Sequence, residues 1–143
     1  MAKLKLLAII STAFGLTNSV GPLEDITSFR CEVVSTHSMA GGEKLVNDAR
    51  VNLSFYPKNR NVVLVGDDGT AIMVFTYSEH NGVLTYGHEL FNLVATLDRD
   101  TLTFTSNSAF VPEVFPGEEL SGADGQKVKV HESGSCVIHE GEF

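Results

Sequence analysis

The chain has 143 residues, ten of them basic and eighteen acidic, and 43% are apolar. That is enough for one domain with a real core, but too acidic to attract nucleic acid or anionic lipid, both of which need clustered Lys and Arg. With only two cysteines, far apart, neither a C-x-x-C redox pair nor a cysteine-built zinc site can form.

The head, "MAKLKLLAIISTAFGLTNSVG", puts Lys3 and Lys5 ahead of an apolar run from Leu6 to Leu16, and small and polar residues follow. This order reads as a secretory signal peptide over residues 1–21, cut near 19–21. The run is well short of the ~20 residues that a membrane-spanning helix requires. The expected mature chain is a single β-domain over 22–143, periplasmic or secreted, with no stable membrane insertion. Without the two lysines its formal charge is −10.

In an oxidising compartment Cys31 and Cys136 are expected to pair. Cys31 shares a strand face with Phe29 and Val33, so the bond belongs in the core. "RVNLSFY" turns Val51, Leu53 and Phe55 inward. "NVVLV" and "AIMVFTY" are apolar on both faces, so the hairpin 62–75, with Met73 and Phe75, needs cover on its outer side as well. "LFNLVATL" aligns Phe91, Leu93, Ala95 and Leu97, and "TLTFTS" aligns Leu102 and Phe104. "KVKVH" buries Val128 and Val130, and "SCVIHE" buries Cys136 and Ile138. Tyr56, Tyr77 and Tyr86 read as amphipathic wall residues.

The turns "YPKNRN", "GDDGT", "HNG" and "DRD" join neighbouring strands, and such short links force antiparallel pairing. The fold is therefore expected to be all-β. It is a small antiparallel up-and-down meander of about eight strands, closed as a barrel or a two-layer sandwich, with its terminal strands joined by the disulfide. The long connection 106–126 breaks the pattern, because it carries Phe110, Val111, Val114 and Phe115. Connections of this length are either functional or disordered, and the apolar residues argue against plain disorder. The loop is expected to fold back over the apolar hairpin or cap one barrel mouth, the alternative being a ligand-gating or partner-binding lid.

Five histidines raise the question of a metal, but there is no H-x-H or H-E-x-x-H pair. The acidic turns "GDDGT" and "GADGQ" lack calcium-loop spacing. No nucleophile elbow or catalytic pairing stands out. No cofactor, metal site or catalytic residue is assigned. The plan of the mature chain, a meander with terminal cysteines, resembles small periplasmic barrels such as the bacterial inhibitors of c-type lysozyme. The S-G-x-x-Y and Y-x-x-x-T-K-G signatures of that family are absent, so no functional residue carries over.

The expectation is an exported, non-enzymatic binding protein for another protein or a small apolar ligand. It would use Phe110, Val111, Val114, Phe115, Met73 and Phe75, and self-association through the apolar hairpin is a further option. The alternative is an envelope hydrolase or metal-dependent enzyme. That would gather His80, His88 and Glu89 with His131 or His139 on one rim.

Overall fold

Each strand alternates between inner and outer residues, and its neighbours in space are its neighbours in sequence. The computed structural model describes residues 21–39, 41–110 and 127–143. It contains β1 (Thr27–Ser38), β2 (Lys44–Tyr56), β3 (Asn61–Val65), β4 (Ala71–His80), β5 (Val83–His88), β6 (Leu93–Asp98), β7 (Thr103–Phe110) and β8 (Val128–Glu140). All pairings are antiparallel, and β8 returns to β1, so the meander is a closed barrel. The expected head, residues 1–20, lies outside the described residues.

The turns set this order. Asn81 and Gly82 both have positive φ (52° and 80°), as a two-residue hairpin between right-twisted strands requires. Between β6 and β7, Asp98 Oδ1 accepts from the amides of Asp100 and Thr101. Leu102 then takes a left-handed conformation, with its amide bonded to the Asp98 carbonyl.

The inner positions fill the lower half of the barrel, the end bearing the 80–83 and 98–103 turns. Phe29, Leu53, Phe55, Val62 and Leu84 are fully buried. Burying each such side chain is worth about 1.5–3 kcal/mol. Phe55 receives Phe29 and Tyr77 in edge-on contacts at 5.6 and 4.9 Å. Leu23 packs against this cluster from below, and its amide donates to Glu79. Arg99 pairs with Glu79 and also donates to the Gly21 carbonyl. The segment before β1 thus plugs the lower end.

Cys31 and Cys136 lie directly opposite each other on β1 and β8, bonded and buried. The disulfide therefore crosses the seam where the last strand meets the first. Closing a loop of 105 residues stabilises the folded chain by about 4–5 kcal/mol in the chain-entropy account. Two residues earlier on β8, Gly134 faces inward between Val33 and Phe104. A Cβ there would lie 1.9 Å from the Glu32 carbonyl oxygen and 2.7 Å from the Val33 Cα. Only glycine lets β8 come this close to β1.

Three expectations need correction. The long connection expected at 106–126 begins later, because residues 106–110 belong to β7 and pair with β8 from Ser106–Glu132 to Phe110–Val128. Ile138 has inward parity but is 54% exposed. β7 begins at Thr103, opposite Ser135, so beyond that point β8 is paired only with β1 and the wall stops. Phe91 does not share a strand with Leu93. It ends a 3₁₀ turn at Glu89–Phe91, and Asn92, at φ 48°, bonds back to the Glu89 carbonyl and breaks the zigzag.

Replacing Gly134 by Ala is expected to lower the unfolding free energy in urea by about 3 kcal/mol or more. An unchanged midpoint would show that the β1–β8 approach is not as close as described.

Candidate functional site

The upper half of the barrel is built differently from the lower. Directly above the Val33–Gly134–Phe104 layer, the inward residues are Ser35 on β1, Glu132 on β8 and Ser106 on β7, opposite one another in register. Ser106 Oγ donates to Glu132 Oε1 at 3.2 Å. Ser35 is 3% exposed, and its Oγ is buried without a hydrogen-bond partner among the described residues. A polar layer thus replaces the apolar ones at this height, and one of its hydroxyls is unsatisfied. Such groups are rare inside native proteins and call for an explanation.

The barrel wall is incomplete beside this layer. β2 and β3 pair only from Tyr56–Asn61 up to Asn52–Val65, whereas β2 continues alongside β1 to Lys44. The register of β3 against β4 also slips between Leu64 and Val65. Asn52 holds the edge of the gap. Its Nδ2 donates to the Val65 carbonyl and to Asp67 Oδ1 (3.2 and 2.9 Å), and its Oδ1 accepts from Arg30 Nε. Through the gap runs a cavity of about 420 Å³. Leu64, Phe75, Leu93 and Phe104 supply its apolar lining, and Tyr86, Ser106 and Glu132 are its inner polar groups. At the outer mouth, Arg50 pairs with Glu32 at 2.8 Å and approaches Asp67 at 4.0 Å.

Burial pushes the Tyr86 phenol well above its ordinary value of 10.0, and the negative charge of Glu132 adds to the rise. The two groups thus face a common interior. Tyr77 is raised as well, by burial and then by Glu79, and Tyr56 by burial and then by Glu142. Tyr77 and Tyr86 are interior residues, not parts of the wall surface.

From the cavity an aromatic chain leads to the upper rim. Phe75 lies 4.8 Å from Tyr86 and 6.2 Å from His88, His88 lies 5.2 Å from Phe91, and Phe91 lies 6.0 Å from Phe110. The structure therefore brings Phe75 and Phe110 to one end. Met73, opposite Leu64, packs partly buried against the core beside them. Val111, Val114 and Phe115 lie outside the described residues. On the outer side of the hairpin 62–75, Ile72 and Val74 stay 63% and 56% exposed.

The histidines do not gather. His80 and His139 belong to the lower end, where His139 stacks on Phe143, and His131 is exposed, bonded to Asn107. His88 accepts from the Leu90 amide at the upper rim. Among the described residues, no three His, Cys, Asp or Glu side chains converge in a way that could hold a metal. No helix among them is long and apolar enough to cross a membrane. A larger furrow, about 780 Å³, lies at the lower end between Glu24–Thr27, Tyr56–Asn59 and Glu140. None of its lining residues is buried. The upper cavity, which reaches buried polar groups, is the better site.

Reasoning from the sequence missed Ser35, Ser106 and Glu132, although the signal was present. In "KVKVHESGSC", Glu132 has the parity of Val128, Val130 and Cys136, and Ser106 and Ser35 continue the inner faces of Phe104 and Val33. No known protein family matches the chain, and no curated protein matches it either.

Because Tyr86 ionises later in the folded chain than in the unfolded one, its contribution to stability is complete below about pH 10 and falls as pH rises beyond that. Between about pH 9 and about pH 11, the unfolding free energy of Tyr86→Phe should decline less steeply than that of the wild type. Equal slopes in urea titrations would place the phenol in solvent.

Proposed function

We propose that the protein is an exported, non-enzymatic binding protein that holds a small, largely apolar ligand in the upper half of its barrel. The observation that carries this reading is the cavity of about 420 Å³ opening between β2 and β3. Its volume falls within the range of small-molecule sites, and its lining has their usual composition, apolar walls with a few convergent polar groups. An eight-stranded barrel is just wide enough either to be filled by side chains or to hold one small ligand. Here the lower half is filled, and the cavity lies in the upper half.

Export is supported by the lysine-headed apolar leader and by a disulfide that forms and persists in oxidising compartments. A hydrolytic or metal-dependent rim finds no support, since the histidines are divided between the two ends and the outer wall. The comparison with lysozyme inhibitors rests on the shared barrel plan and an acidic surface.

The test is titration of the oxidised mature protein with Nile red, a neutral apolar dye. Saturable binding at one site per chain is expected, with blue-shifted emission. Ser106→Trp, which fills the cavity from its inner wall, should weaken it about tenfold or more, and Leu64→Trp should do the same from the opposite wall. Absent dye binding, or binding indifferent to both substitutions in folded protein, would overturn the reading.

A further inference from the structure

We infer that the ligand of this cavity carries an ammonium group on a short aromatic or aliphatic body, and that Glu132 receives it. The inference rests on the small-ligand reading above and adds the chemical class. Glu132 projects from an inner strand position into a cavity with apolar walls. Its carboxylate accepts from Ser106, and no ion pair with a Lys, Arg or His is formed among the described residues. Residues 111–126 contain no Lys, Arg or His. A carboxylate drawn partly out of water without a cation is costly, and a ligand cation would offset that cost.

The geometry of the remaining groups suits the same head. An ammonium offers three donors and no acceptor. The inner wall of the cavity offers acceptors in the Glu132 carboxylate and in the lone pairs of Ser106 Oγ, which itself donates to Glu132. Phe75, Tyr86 and Phe104 supply ring faces and edges for an apolar body, and ring faces also attract cations.

The mouth favours the same sign of charge. Arg50, the only basic side chain among the described residues of the cavity lining, already sits against Glu32 and Asp67, so these three groups carry one positive charge against two negative ones. An anionic ligand would be repelled at the mouth and again at Glu132.

Three compounds sharing a phenylethyl body separate the possibilities: 2-phenylethylamine, 2-phenylethanol and 3-phenylpropionate, each competed against Nile red on the oxidised mature protein. The amine should bind about tenfold tighter than the alcohol, with the carboxylate weakest. Glu132→Gln should remove the amine's advantage while leaving the alcohol within about 2-fold. If amine and alcohol bind alike, or if the amine is unaffected by Glu132→Gln, the ammonium assignment fails while dye binding preserves the small-ligand reading. If the dye itself does not bind, both fail together.

Discussion

The structure depends on one closure. An up-and-down meander leaves its first and last strands as free edges unless they find each other, and free edges invite pairing with other chains. Here β1 and β8 pair along nearly their whole lengths, from Thr27–Glu140 to Ser38–Lys129. Two sequence features serve this pairing. Gly134 removes the Cβ that would collide with the β1 backbone, and the Cys31–Cys136 bond ties the strands one inward position away. The disulfide thus sits on the seam whose contacts join the two ends of the meander, where a covalent link closes a loop of 105 residues and removes much unfolded-state freedom.

Closure at one seam makes an opening elsewhere possible. β1, β2 and β8 are long strands, whereas β3 and β5 are short. The seam holds the long strands together above the level at which β3 stops, so the upper barrel is walled on one side and open beside β2. The lower half is filled by Phe29, Phe55, Leu53 and Leu84 and plugged by Leu23 over the Glu79–Arg99 pair. The upper half exchanges this packing for a polar layer and a cavity. One end is packed solid, and the other keeps a cavity.

Much of this was legible in the sequence, for a physical reason. Where both neighbouring strands are present, strand parity decides burial, so Val51, Leu53, Phe55 and Phe104 lie inside as their alternation implies. The cysteine pairing was expected from the leader-like pattern of the head and from the inner face that Cys31 shares with Phe29 and Val33. Parity fails where a strand outruns its partner. Ile138 has the correct face but no β7 beside it, and strand length is set by the whole barrel rather than by local pattern. Phe91 fails for a different reason, because Asn92 can adopt a left-handed conformation that no alternation records. Of the residues that the sequence pattern singled out, Phe75 lines the candidate cavity, whereas Met73 and Phe110 lie toward the same end outside its lining. Attention to large apolar residues passed over the polar inner positions Ser35, Ser106 and Glu132. Barrel and sandwich could not be separated beforehand, because closure depends on the stagger of all eight strands together.

The most direct test of closure is a nuclear Overhauser experiment on the oxidised protein. The Cys136 amide points away from β1 and bonds to the carbonyl of Leu102, in the turn just before β7. The pairs Phe29–Ile138 and Val33–Gly134, each two residues from the disulfide, are therefore non-hydrogen-bonded pairs with close α-protons. Strong Hα–Hα contacts at both pairs are the predicted result. Their absence, with β1 or β8 amides exchanging as an open sheet edge would, contradicts the closed barrel and the cavity that depends on it.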